Sequence, residues 1–253
     1  MKMHVLSGGR LRMRRTIYFP DADRSETFEL PVSCILLRHR QCNVLFDTGC
    51  HPSVAEQPEA RWGGLTKIMT PIMRAGDNVI NSLADVGLVC DDIDVVICSH
   101  LHPDHCGCNT FFKRATFLIH AKEIEAARAP RAEAAGYLAA EWEQSGTIEL
   151  IDGERDLFGD SRIVLIPLPG HTPGITGALI TLDRSGIFLL ASDTVPLRAT
   201  FERDIIPRNT WNVDAHAKSL MEIKRLEGSG ATILCGHDDA QWKTLRKGAE
   251  AYD

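Results

Sequence analysis

Residues 99–105 read Ser-His-Leu-His-Pro-Asp-His, so three imidazoles and a carboxylate fall within six positions of one another. Neutral imidazole and carboxylate are the ligand types that suit zinc and its borderline neighbours. A lone His-x-His is usually ordinary surface or core chemistry, and one turn offers too few groups for a complete metal site. Partners are therefore expected downstream, and each of three apolar runs ends in one. His171 follows the run at 163–170, Asp193 the run at 187–192 and His237 the run at 231–236. Together with His100, His102, Asp104 and His105 these make seven ligands, enough for two metals that share a bridging carboxylate.

Leu45-Phe46-Asp47-Thr48-Gly49 stands upstream of this set. With it, the five segments resemble the motifs of the metallo-β-lactamase-fold hydrolases, over residues 30–240. The resemblance implies an α/β fold, an αββα sandwich of two mixed β-sheets flanked by helices. It also implies that His100, His102 and His171 hold one metal, that Asp104, His105 and His237 hold the other, and that Asp193 bridges them. Zinc is the expected metal, with iron, manganese or cobalt allowed. A water shared by two metals loses a proton near neutral pH and becomes a nucleophile, which suits hydrolysis of esters, lactones, thioesters or amides. Asp104 is expected to carry a proton to the leaving group, and Asp47 to support the metal loop from behind the ligands. His4, His39, His51, His120 and His216 lack the strand-end context and read as ordinary surface or packing residues.

Within the superfamily the chain is most similar to the quorum-quenching N-acyl homoserine lactone lactonases. The stretch Pro31-Val-Ser-Cys-Ile-Leu-Leu, the Cys-Gly that follows His105 and the segment 235–241 carry that likeness. One position departs. Those lactonases carry a Tyr three residues after the bridging Asp, where it assists at the substrate carbonyl, and here that position is Pro196. Tyr18, Tyr137 and Tyr252 are the only tyrosines, and in sequence none is near the motif. Arg198, Arg208 and Trp211 are the replacements the sequence offers. The rival readings are a glyoxalase-II-like thioesterase, with Lys243, Arg246 and Lys247 gripping a glutathione carboxylate, and an iron-dependent sulfur dioxygenase using a subset of the ligands.

The rest of the chain must position these groups. Ligands spread from residue 100 to residue 237 require one compact domain, residues 1–253, built from two similar halves. Residues 3–47 read as strands, with Arg10, Arg12, Arg14 and Arg15 exposed on a hairpin. Ile68, Met69, Ile72 and Met73 recur at helical spacing and suggest a short helix. Trp62 with Gly63-Gly64 suggests a lid over the pocket. Helices are expected from Asp77, as N-cap, to Gly87, over 121–145, and over 212–227 with Ala217, Leu220, Ile223 and Leu226 on one face. Residues 94–99 read as a buried strand.

Bulk composition excludes several classes. Hydrophobic residues make up 44% and charged residues 25%, as in ordinary globular chains. The formal charge of −6 argues against nucleic acid. No apolar run reaches the ~18 residues a membrane helix needs. The basic start lacks a secretory h-region, so the eight cysteines are expected as reduced thiols in the cytoplasm. Cys106 and Cys108 adjoin His105, but the ligand set is complete without them. The expected partner is a small lactone or ester, and a homodimer is left open.

Overall fold

In the computed structural model, which describes residues 1–143 and 146–253, the chain folds into two β-sheets packed face to face with helices on both outer surfaces. The strands in chain order are β1 (Lys2–Arg14), β2 (Thr27–Arg38), β3 (Asn43–Phe46), β4 (Met69–Pro71), β5 (Val95–Ile97), β6 (Thr116–His120) and β7 (Thr147–Ile151). They continue as β8 (Arg155–Asp156), β9 (Ile163–Pro167), β10 (Thr176–Leu182), β11 (Gly186–Ser192) and β12 (Thr232–Cys235). The first sheet has the order β4-β1-β2-β3-β5-β6-β7, antiparallel up to β3 and parallel from there. The second has the order β12-β11-β10-β9-β8. The expected fold class is met. The two halves are unequal, with seven strands against five.

Alternation along the strands explains the layers. On β2 and β3, Ile35, Leu37, Val44 and Phe46 face inward and meet Leu165, Ile180 and Leu190 of the second sheet. Leu36 and Leu45 point the opposite way, onto α2 (Val79–Ala84), α4 (Ala121–Ala127) and α5 (Ala139–Trp142). The outer face of the second sheet is covered by α6 (Arg198–Glu202) and α7 (Val213–Gly228). Three short helices complete the set, α1 (Pro58–Trp62), α3 (Pro103–Cys106) and α8 (Asp239–Thr244).

Several expected elements are corrected. Residues 68–73 form no helix. Met69–Pro71 pair with β1 as an edge strand, because Leu11 and Met13 offer a free antiparallel ladder. Trp62 is no lid residue. It is buried, and its indole donates to Glu141 Oε1 at 3.1 Å. Asn78, not Asp77, caps α2, while Asp77 accepts a 2.5 Å hydrogen bond from Ser7. The helix expected over 121–145 breaks after Ala127 and resumes at Ala139, since Pro130 cannot continue it and Gly136 turns left-handed. Its last two positions lie outside the described residues. On α7, Ala217 is exposed, and His216 and Ser219 join Leu220, Ile223 and Leu226 on the buried face. The arginine hairpin forms as expected, with Arg12 beside its cross-strand partner Glu29 at 2.9 Å. Arg10 differs, being half-buried against Asp239 at 2.6 Å. No helix among the described residues is long and apolar enough to cross a membrane.

Candidate metal centre

All seven predicted side chains converge at one edge of the sandwich. Strands β9, β11 and β12 run the same way, so the residues after them emerge together. His171, Asp193 and His237 follow their carboxyl ends, and the loop from Ser99 to α3 follows β5. Thr176 N donates to Ser99 O at 2.9 Å and ties the two sheets at this edge.

The ligand atoms fall into three groups, each with its members within 4.8 Å of one another: His100, His102 and His171; Asp104, His105 and His237; and His100, His105 and Asp193. His102 Nδ1 lies 3.1 Å from Nε2 of both His100 and His171. His105 Nε2 and His237 Nε2 are 3.3 Å apart. Asp193 stands between the groups. Its Oδ1 is 2.9 Å from His237 Nε2 and 3.3 Å from His105 Nε2, and its Oδ2 is 3.5 Å from His171 Nε2. Asp104 Oδ2 is 3.6 Å from both His105 and His237.

The rear nitrogens of four of the five rings are held. His100 Nδ1 meets Ser99 Oγ at 3.0 Å, and His102 Nε2 meets Ala135 O at 3.0 Å. His105 Nδ1 meets Asp47 Oδ2 at 2.8 Å, and His237 Nδ1 meets Pro31 O at 2.9 Å. Such partners fix the tautomer and turn the other nitrogen toward a common centre. Asp47 also accepts from Ser99 N and Ser99 Oγ, each at 2.7 Å. It sits at φ 60, a left-handed conformation that Asp tolerates. Gly49 lets this turn close: a Cβ there would lie 2.5 Å from Gly8 Cα. Ser192, at φ 46, donates to Ser99 Oγ at 2.8 Å and places Asp193.

Electrostatics divides the set. Burial, reinforced by the neighbouring imidazoles, holds His100 well below its ordinary range. Burial likewise pushes His171 down to about 3, despite Asp193. At His105 burial opposes the charge, but Asp104, Asp193 and Asp47 outweigh it and raise the ring well above its usual value. His237 is raised for the same reason, chiefly by Asp193. Asp193 Oδ1 is buried with no aligned hydrogen-bond donor, although two imidazoles lie within 3.3 Å. Seven donors aimed inward and an orphaned carboxylate oxygen between them fit a pair of divalent cations.

Five of the seven, His102, Asp104, His171, Asp193 and His237, line a cavity of about 330 Å³. Its walls are mostly apolar, supplied by Met13, Ile17, Leu65, Ile68, Met69, Ala134 and Ala135, with Asn209 and Thr210 among the polar exceptions. Of the three substrate residues the sequence offered, two reach the cavity. Trp211 stands at its mouth, 59% exposed, and Arg208 lines it while bonding Pro20 O at 3.2 Å. Arg198 does not reach. It pairs with Glu202 and Glu227 and packs over Phe201, away from the ligands. Pro196 offers only its carbonyl, which accepts from His237 N at 2.9 Å.

The tyrosines correct a further expectation. Tyr18, distant in sequence, lines the cavity, and its hydroxyl has only the thioether of Met13 at 3.6 Å as partner. Burial first, then the carboxylates of Asp193 and Asp104, push its phenol well above the usual range, so it stays a donor. Tyr137 packs its ring 5.3 Å from that of His102. No local sequence signal marks either residue. Cys106 and Cys108 stay out of the centre: both are buried, and Cys108 donates to Cys50 O at 3.2 Å.

The metallo-beta-lactamase superfamily model matches residues 27–237, a span that holds every one of these groups. The chain belongs to that superfamily. Among curated metallo-beta-lactamase relatives it is 26% identical over 260 residues to the N-acyl homoserine lactonase AttM of Azorhizobium caulinodans, covering 100% of this chain and 99% of that one. It is 28% identical to the N-acyl homoserine lactonase of Bacillus thuringiensis, over 97% of this chain and 96% of the other. Among solved structures, an N-acyl homoserine lactone hydrolase with N-hexanoyl-L-homoserine bound at its catalytic metal center superposes with a TM-score of 0.90 at 26% identity, covering 99% of this chain and 98% of that one. A Bacillus thuringiensis AiiA structure with bound N-decanoyl-L-homoserine gives 0.89 at the same identity, over 99% of this chain and 98% of that one.

Proposed function

We propose that this chain is a two-metal hydrolase that opens the ring of an N-acyl homoserine lactone or a close relative. The observation that carries the reading is the cluster of seven candidate ligands, five of them lining a largely apolar cavity, in a chain similar over its whole length to named lactonases. His100, His102 and His171 would hold one metal, Asp104, His105 and His237 the other, and Asp193 would bridge, with zinc favoured by this nitrogen and oxygen donor set. Bound there, the metals supply an acidified water and polarise the ester carbonyl.

The chain's own residues do the rest. The walls from Met13 to Met69 take an acyl tail by excluding water. Tyr18 donates a hydrogen bond to the substrate carbonyl, the role for which Pro196 has no side chain. Asp104 carries the proton to the alcohol oxygen released when the ring opens, leaving a carboxylate and a free hydroxyl on one product. The eight free cysteines suit a reducing compartment such as the cytoplasm.

The thioesterase reading loses its grip residues. Lys243 pairs with Asp239 at 2.6 Å, and Lys247 bonds Trp242 O and Leu245 O, each at 2.7 Å. Neither they nor Arg246 line the cavity. A pH-indicator assay across lactones, esters and S-acyl-glutathiones tests the proposal. Lactone turnover above the other two classes is expected, and preference for the thioester contradicts it.

A further inference from the structure

Glu123 lies in the first turn of α4, wholly buried and on no motif, with the His102 imidazole among the groups that act on its charge. Its two carboxylate oxygens reach different loops. Oε1 accepts from Leu101 N at 3.0 Å, and Oε2 accepts from Gly174 N at 3.0 Å. Leu101 separates His100 from His102, and Gly174 is three residues beyond His171. One carboxylate therefore clasps both stretches of backbone that carry the first ligand group.

The surroundings tighten this arrangement. A Cβ on Gly174 would lie 2.4 Å from Glu123 N and 2.6 Å from Glu123 Cβ, so only glycine allows the loop to come this close. The second ligand group has separate supports, Asp47 behind His105 and the Pro31 carbonyl behind His237. A buried carboxylate held by two backbone N–H groups is expensive to desolvate. A purely structural join between two loops would be made more cheaply by apolar packing.

We propose that Glu123 is a positioning residue that sets the affinity of the His100–His102–His171 site without touching metal or substrate. It rests on the two-metal reading above. By fixing the separation of the two loops, it presets three imidazoles that would otherwise have to be gathered by the metal. Removing the clasp weakens one site selectively and leaves the other intact.

The test is Glu123→Gln in the full chain, whose amide keeps the size but presents N–H to one of the two donors. Chelator-stripped protein is titrated with zinc and, separately, with cobalt, following stoichiometry and the cobalt absorption bands. Wild type takes up two metals. The variant retains one at unchanged affinity and binds the second on the order of 10- to 100-fold more weakly, the usual scale for groups behind a ligand. Two metals bound as in wild type, or both weakened equally, overturns the proposal. Wild type that takes up a single metal removes the two-metal reading and the clasp with it, and is recognised before any substitution is made. If the variant does not fold, hydrogen exchange in the metal-free wild type decides. The Leu101 and Gly174 amides exchange as slowly as the core strands if the clasp is preformed, and fast exchange at either one contradicts it.

Discussion

Tyr18 and Asp47 lie on opposite sides of the candidate ligands, and the roles proposed for them make different, measurable predictions. The Tyr18 hydroxyl faces the cavity with only a thioether for a partner, so little folded-state bonding is lost in Tyr18→Phe. The expected result is a fall in kcat on the order of 10²-fold, the scale of one transition-state donor, with metal content and melting temperature unchanged. An unchanged kcat would remove Tyr18 from the reaction. Asp47→Ala strands three donors, Ser99 N, Ser99 Oγ and His105 Nδ1. It should lower metal affinity about 10- to 100-fold and destabilise the fold by about 1–3 kcal/mol per unpaired buried group. Isothermal titration with zinc and urea unfolding check the two halves of that statement. That the candidate ligands and Asp47 would come together could be read from residue types because each sits in a local motif. The places of Tyr18 and Glu123 could not, since both depend on partners far off in sequence.

The elements show where local pattern decides and where tertiary pairing overrides it. Strands β2, β3 and β11 were legible as apolar runs because each packs on both faces. Ile68, Met69, Ile72 and Met73 carry a helical period, yet the open edge of β1 captures Met69–Pro71 as a strand. That capture puts Ile68 and Met69 into the cavity wall. Ile68→Asp should therefore raise KM for long-chain substrates more than for short ones, since each buried methylene contributes about 0.8 kcal/mol. Equal KM changes across a C4 to C12 series would move the acyl tail elsewhere. On α7, burial of His216, only partly opposed by Asp193, lowers its pKa to about 4. The unfolded chain protonates that ring near pH 6.5, so between these values it binds more protons than the fold. The contribution is full above pH 6.5 and is lost as pH falls toward 4. Urea melts of the metal-free chain should show a shallower slope over this window in His216→Leu, and equal slopes contradict the assignment.

At the scale of the whole molecule, the seven candidate ligands come from both sheets, so the two-metal proposal links metal binding to folding. On the two-metal reading, ligation would stabilise only the state that holds all seven donors in place, and chelation should lower the melting temperature reversibly. The sandwich itself was expected from the family resemblance that the motifs carry. The inequality of its halves and the broken helix over 121–145 were not, because they depend on Pro130, Gly136 and edge pairing rather than on hydrophobic period. The most direct measurement is hydrolysis of N-hexanoyl homoserine lactone by chelator-stripped protein as zinc is added back, with metal counted per chain. The account predicts no turnover without metal and full turnover at two zinc ions per chain. Turnover that survives stripping, or protein holding two zinc ions that leaves the lactone intact, would contradict it.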